Sequence, residues 1–332
     1  MRRILGVTFT GLGAFLLVIA LMCHFFLPGQ VIKFPLDEYT VTRLSGTNLE
    51  YLSGATGTEV TGATVRSVAT TQGDVVAGTS STAVWTTIIG TFDITASSNP
   101  GTPVAYTTER YAFDRRTGLL VNCCGAEVGT TRPHFSGQGY VWPIGTQKQT
   151  YQVFDSTLLK PEPAYYRGTT TVDGENVYIF VEHFANQQFG TVSVPGSLVG
   201  VPSQTEVTWP EYATTTTTYF VDPATGDPVK QIESQDQTLV NPTTGATALV
   251  LFKGTLTTTP QSVTAAVNTA KSSDTEISAL QTIGPIVGGI VALILLVVGI
   301  LLLAGEKGDE YDEYGEDDEP VGDDDKAVGA EA

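Results

Sequence analysis

Two unbroken apolar runs bracket a long stretch in which apolar and polar residues alternate. From Ile4 to Leu27 there are 24 residues without a formal charge, and a helix of that length rises about 36 Å, enough to cross a hydrocarbon core about 30 Å thick. The second run, Ile283 to Leu303, has 21 residues, all apolar, Gly or Pro. Both predict membrane-spanning helices. "MCHFFLPGQ" offers no small-x-small cleavage site, and Met22 is bulky where a lipoprotein Cys23 would need a small neighbour, so the first run is expected to stay as an anchor.

Between the runs the period changes to two. "TTTVDGENVYIFVEHF" sets Val177, Ile179 and Val181 on one face against Tyr178, Phe180 and Glu182 on the other, behind an Asp173-Gly174 turn, which is the pattern of a hairpin. "ATTTTTYFVD" and "GATALVLFKGTLT" are further strands, the former too rich in Thr for a helix interior. The strands read as short and the turns as frequent, unlike the ten-residue alternation with aromatic girdles of a membrane barrel. After the last strand, "QSVTAAVNTAKSSDTEISALQ" spaces Val263, Val267 and Ala270 as a helix does. The fold class expected is a mainly β, antiparallel extracytoplasmic domain flanked by N- and C-terminal transmembrane helices.

A short motif recurs within the strands. "YAFDRRTGLLV" and "YFVDPATGDPV" share an aromatic, Asp, two residues, Thr-Gly and a closing Val; "VNPTTGATALV" is a looser copy. Asp114 and Asp222 suit turns in which the carboxylate accepts backbone N–H bonds two residues on, with Gly118 and Gly226 at positive φ. The spacing lacks the dense acids of a calcium loop. The repeat hints at a duplicated β subdomain.

Charge fixes the expected orientation. Arg2 and Arg3 precede the first run, which predicts a cytoplasmic N-terminus; two spans return the C-terminus to the same side. The organisation expected is a cytoplasmic segment 1–3, a span at 4–27, a β-rich extracytoplasmic domain at 30–257, a helical stalk at 258–282, a span at 283–303 and a cytoplasmic tail at 306–332. Of a net charge of −18, the tail carries −11, with 13 acids and two lysines. It is too poor in apolar residues to offset the entropy of ordering, so it is expected to be disordered and open to an unidentified protein partner. No basic patch favours nucleic acid; membrane lipids and further copies of the chain are the other partners expected.

Candidate chemistry is sparse. The nearest approach to G-x-S-x-G is "HFSGQG", with Phe135 in place of the first Gly, H-E-x-x-H does not occur, and the three histidines are His24, His134 and His183. Asp155 and Glu182 have no paired acid in the sequence. Neither catalytic residues, a cofactor nor a metal site is expected, and the chain is read as a non-enzyme. Cys123 and Cys124 are adjacent and cannot reach Cys23 within the first span; a vicinal disulfide that rigidifies the turn before Gly125 is expected, with buried free thiols as the alternative. Tyr140 and Trp142, in a loop rich in Gly, suit either core packing or a groove for an apolar ligand.

Taken together, "FPLDEYTVTRLSG", "YAFDRRTGLLVNCCG", "YVWPIGTQKQTYQVFD" and "YFVDPATGDPVKQIESQ", framed by two spans, resemble the actinobacterial porin PorA family over nearly the whole chain, the acidic tail excepted. The resemblance implies channel formation in the cell envelope and assigns no catalytic residues. The function expected is a non-enzymatic envelope protein, held in the plasma membrane with its β domain in the cell-wall space, that binds or carries lipid or small solutes. The alternatives are the channel-forming porin of the family name and, last, a hydrolase.

Overall fold

The computed structural model describes residues 1–95 and 101–304; the acidic tail lies outside the described residues. The described chain divides into two compact units, one formed by Met1–Pro28 with residues 280–304, the other by Gly29–Ala279.

In the first unit, α1 (Arg2–Phe25) packs against α4 (Gly284–Ala304). Small residues set their spacing. A Cβ on Gly13 would stand 2.9 Å from the Ala292 carbonyl oxygen and the Leu296 amide nitrogen, and one on Gly6 would stand 2.9 Å from Leu303 Cγ. The pair is antiparallel, with Gly288 against Ala20 and His24 Nδ1 3.0 Å from the Gln281 carbonyl. Gly6 and Thr10 therefore meet Gly299 and Leu303. Large aliphatic side chains cover the rest of both helices and are exposed. Both are long and apolar enough to cross a membrane.

The second unit begins within a short helix, α2 (Leu27–Val31), and is built on eleven strands. These are β1 (Tyr39–Ser53), β2 (Thr58–Gly73), β3 (Thr82–Asp93), β4 (Thr102–Asp114), β5 (Glu127–Val128) and β6 (Tyr151–Asp155), then β7 (Lys160–Val172), β8 (Glu175–Pro195), β9 (Glu206–Val221), β10 (Pro228–Val240) and β11 (Thr247–Thr258). They form one antiparallel sheet in the order β5-β4-β3-β2-β1-β11-β10-β9-β8-β7-β6. It is two meanders joined at β1 and β11, and the repeated turn motif marks two corners of this single sheet.

The strands are longer than the sequence pattern predicts: β8 runs 21 residues and β2 and β9 run 16 each. Glycines that read as turn signals lie inside strands, and several sit at shifts of register, as at Gly46–Leu49, Tyr166–Gly168 and Gln188–Gly190. A bulge absorbs the residue that would otherwise end the strand and bends it.

That bending brings the sheet's ends together. Val121 N–H donates to the Ala112 carbonyl at 2.8 Å, Leu120 N–H to Gly137 at 2.9 Å, Gln138 N–H to Gln152 at 2.7 Å, and Phe154 N–H to Gln138 at 2.8 Å. One extended segment of the β4–β5 connection and one of the β5–β6 connection thus bridge β4 to β6, and the rings of Tyr111 and Phe154 lie 5.8 Å apart across the seam. One face of the sheet becomes an interior.

Outside, α3 (Pro260–Ser278) starts on Thr259, whose hydroxyl accepts the Ser262 N–H, with Pro260 in the first turn. Its Val263, Val267 and Ala270 bury against Val177 and Val229. Lys271 Nζ donates to the Asp173 carbonyl at 2.8 Å. The segment expected as a stalk is therefore fastened to the sheet over its apolar stripe.

Candidate functional site

Cross-strand register decides which side chains face the interior. Glu182 on β8 stands opposite Thr217 on β9, and Thr217 opposite Glu233 on β10. In an antiparallel pair opposed residues share a face, so these three form one rung. On the far wall Thr71, Thr87 and Glu109 form another across β2, β3 and β4, with the Thr71 and Thr87 hydroxyls 2.8 Å apart. Asp155, at the end of β6, adds a fourth carboxyl.

These acids lie close enough to act on one another. Burial pushes the Glu182 carboxyl up to about 8, helped by the charge of Asp155. Burial likewise takes Glu233 up to about 7, in spite of a hydrogen bond from Gln235, and raises Glu109 and Asp155 as well. Tyr219 donates to Glu182 Oε2 at 2.8 Å, while Oε1 of the same carboxylate, on a side chain only 2% exposed, has no partner. Lys160, whose charge acts on Asp155, is half exposed and held by Glu162 at 2.9 Å. Carboxyls gathered without a counter-charge keep their protons near neutral pH; once ionised, they favour cations over anions. No group of three or more His, Cys, Asp or Glu among the described residues is arranged to hold a metal ion.

The sequence leaves Asp155 and Glu182 unpaired and does not single out Glu109 or Glu233. Their partners come from strands far apart in the chain, which no local pattern reveals. One signal is present: Glu182 occupies the same alternating face as Tyr178, Phe180 and Phe184, where an isolated acid needs a reason.

Aromatic clusters pack beside the carboxyls. Trp142, 1% exposed, stacks on Phe180 with centroids 5.8 Å apart and lies 4.8 Å from Tyr219. Tyr140 stacks on Trp85 at 6.3 Å and lies tilted against Tyr111 at 4.6 Å, and its hydroxyl donates to the Glu109 carbonyl at 2.9 Å. Both residues thus fill space between strands, where an apolar groove would have left a face open.

The repeated turns hold this loop. Asp114 Oδ1 accepts from the Arg116 and Thr117 amides at 3.0 and 2.8 Å, and Asp222 Oδ1 from Ala224 and Thr225 at 3.0 and 2.8 Å. Gly118 and Gly226 adopt φ of 68° and 81°. Ile144 N–H then donates to the Arg116 carbonyl at 2.9 Å and Gly145 N–H to Ala224 at 3.1 Å. The W-P-I-G strap is thereby fastened to both turns. Asn241 makes the same turn further along, accepting from Thr243 and Thr244.

The remaining candidates lie elsewhere. Cys123 and Cys124, both exposed, place their sulfurs at bonding distance, and the Cys124 carbonyl accepts from Arg110 Nε at 3.2 Å. His183 is on the outer face of β8, its Nδ1 2.9 Å from Thr216 Oγ1, and His134 lies in the β5–β6 connection. A cavity of about 570 Å³ opens beside β1, β2 and β11, lined largely by hydroxyl side chains; it offers no apolar tunnel for a lipid chain.

A family model described as Porin PorA matches residues 5–301 of the chain. A protein named Porin PorA from Corynebacterium resistens is 29% identical over 99 residues, which cover 26% of this chain. The match spans only 24% of that relative's length.

Proposed function

The chain belongs to the porin PorA family, and from that premise we propose that it is a channel-forming protein of the cell envelope. The observation that carries the reading is the family match over residues 5–301, from Leu5 in α1 to Leu301 in α4, which takes in most of both apolar helices and the whole β unit. The channel reading replaces lipid carriage as the leading one, because the interior of the sheet is filled by aromatics and carboxyls and the cavity beside β1 is lined largely by hydroxyls.

Polarity assigns the roles of the parts. The outward positions of β9, β10 and β11 include Thr214, Thr216, Thr218, Ser234, Asp236, Lys253, Thr255 and Thr257, a surface that belongs in water, since a lipid-facing wall needs an apolar band. The helices α1 and α4 therefore supply the lipid-crossing part. Two helices packed on each other through glycines enclose no lumen, so conduction needs several copies of the chain around a common path. In this reading both termini are cytoplasmic, the β unit lies in the cell-wall space, and the net charge of −18 carried by each chain gives passing solutes a preference for cations.

Purified full-length protein in planar bilayers tests this. Unitary conductance steps absent from a matched blank preparation are expected, with a reversal potential in a KCl gradient that reports cation preference. A preparation shown to be inserted that gives no steps above the blank overturns the proposal.

A further inference from the structure

A second, basic site stands on the outer face of the β unit. Ser45 on β1 is opposite Arg66 on β2 and opposite Thr257 on β11, and Arg43 lies two residues before Ser45 on the same face. At Gly46 the register of β1 shifts, and Asn48 takes a φ of 60°. The kink opens a cavity of about 570 Å³ lined by Ser45, Gly46, Thr47, Thr64, Arg66, Ile94, Thr255, Thr257 and Thr259. Only glycine fits at its floor: a Cβ on Gly46 would collide with the Thr255 carbonyl oxygen.

We infer that this cavity binds a soluble phosphate ester of a sugar or polyol. Its charge and its donors both point to such a ligand. Among the described residues neither Arg43 nor Arg66 forms an ion pair, whereas Arg110, Arg132, Lys160 and Lys253 do. Arg43, opposite Val68, is a diagonal neighbour of Arg66, opposite Ser45, and like charges so placed on one sheet face disfavour the folded state unless something offsets them. No acid lines the cavity; the closest on the same face of the adjoining rungs are Glu50 and Asp236, and Asp236 is engaged by Lys253 at 2.9 Å. A guanidinium presents forked donors that match the oxygens of a phosphate. The hydroxyls of Ser45, Thr47 and Thr257, free of internal partners among the described residues, can each donate or accept, as the hydroxyls of a sugar require. The volume accommodates a ligand of one or two sugar rings. Six of the nine residues that line the cavity carry hydroxyls and Ile94 is the one large apolar side chain among them, which favours a hydroxyl-rich soluble ester over a lipid headgroup.

The test is titration of full-length protein in neutral detergent at fixed ionic strength with inorganic phosphate and with glucose 6-phosphate, followed by calorimetry. Saturable binding of glucose 6-phosphate, tighter than that of phosphate and weakened at least tenfold by Arg66→Gln, is the expected result. Thr257→Val, which keeps the charge, should weaken the ester but leave phosphate little changed. Arg132→Gln, on another surface, should alter neither, and the far-ultraviolet spectrum of each variant checks that it folds. Absence of saturable binding by the folded wild type overturns the inference, as does binding that Arg66→Gln leaves intact. Binding of phosphatidylglycerol vesicles that depends on Arg66, without binding of the free ester, overturns it in favour of a lipid headgroup.

Discussion

The backbone N–H of Trp142 donates to the carbonyl of Gly226 at 2.8 Å, so the most deeply buried aromatic side chain of the strap is anchored by a turn glycine from the far end of β9. The turn comes so close to the strap that a Cβ on Gly226 would collide with the Trp142 carbonyl oxygen. Gly245 has a similar φ of 71° but open space around it. Gly245→Ala should therefore cost only the left-handed strain, about 1 kcal/mol, whereas Gly226→Ala should add a further penalty of about 1–3 kcal/mol for overpacking against backbone. Thermal unfolding followed by near-ultraviolet circular dichroism checks this, with a melting point for Gly226→Ala several degrees below that of Gly245→Ala. Equal shifts would mean that the strap yields freely.

The carboxyl interior should make stability depend on pH in a definite direction. The Glu182 pKa is raised from 4.5 to about 8 and that of Glu233 from 4.5 to about 7, first by burial. Between these limits the folded protein holds protons that the unfolded chain releases. Their stabilising contribution is thus complete below pH about 4.5 and is lost as pH rises through the folded values, with a slope of about 1.4 kcal/mol per pH unit for each proton so held. Asp74, held low first by its hydrogen bond from Arg110, acts in the opposite sense but only below its ordinary 3.8. Denaturant midpoints should accordingly fall from pH 5 to pH 8. Glu182→Gln should flatten that fall, with little effect at pH 5 and a gain at pH 8. An unchanged slope in the variant would show that Glu182 ionises normally.

How much of this is legible in the sequence depends on the range of the interaction. The apolar runs, the Asp173-Gly174 hairpin and the turns of Asp114 and Asp222 are local, and the residue types that make them lie within a few positions of one another. Strand length is not legible, because Gly46, Gly168 and Gly190 break a pattern without breaking a strand; a bulge and a turn have the same composition. The rung of Glu182, Thr217 and Glu233 is set by register between strands. Nor does composition tell that Trp142 fills the interior, because its neighbours Phe180 and Tyr219 arrive from β8 and β9.

The helix pair offers a test that depends on close approach alone. Gly299 faces Thr10, and a Cβ there would collide with the Thr10 side chain, whereas Gly11 on the opposite side of α1 has nothing within 4 Å. Small residues at such crossings let helices pack closely in a lipid environment. Gly299→Leu should separate α1 from α4 and Gly11→Leu should not. Cysteines placed at Gly6 and Leu303 in a Cys23→Ser background would report the separation as loss of oxidative cross-linking. Cross-linking that survives Gly299→Leu undiminished would refute the packing described.

The last prediction concerns Cys123 and Cys124. Their exposure makes both sulfurs available to reagents, and Cys124 and Gly125 take left-handed φ of 58° and 74°. Arg110 ties this corner to the sheet, donating through Nε to the Cys124 carbonyl and through Nη2 to Asp74 at 2.7 Å. Buried free thiols, the alternative raised by the sequence, would have to be reached by unfolding before alkylation; a bonded pair would resist alkylation even then. Mass spectrometry of a peptide spanning Leu119 to Arg132, prepared without reductant from protein unfolded in iodoacetamide, is expected to show an unmodified peptide lighter by two hydrogens than the dithiol. After reduction the same peptide should carry two carbamidomethyl groups. Cys123→Ser should abolish the mass deficit and loosen the corner, seen as faster hydrogen exchange at Ala126, whose N–H donates to the Cys123 carbonyl at 3.0 Å. Double alkylation of the unreduced wild-type peptide would establish two free thiols and remove the disulfide from the description of this turn.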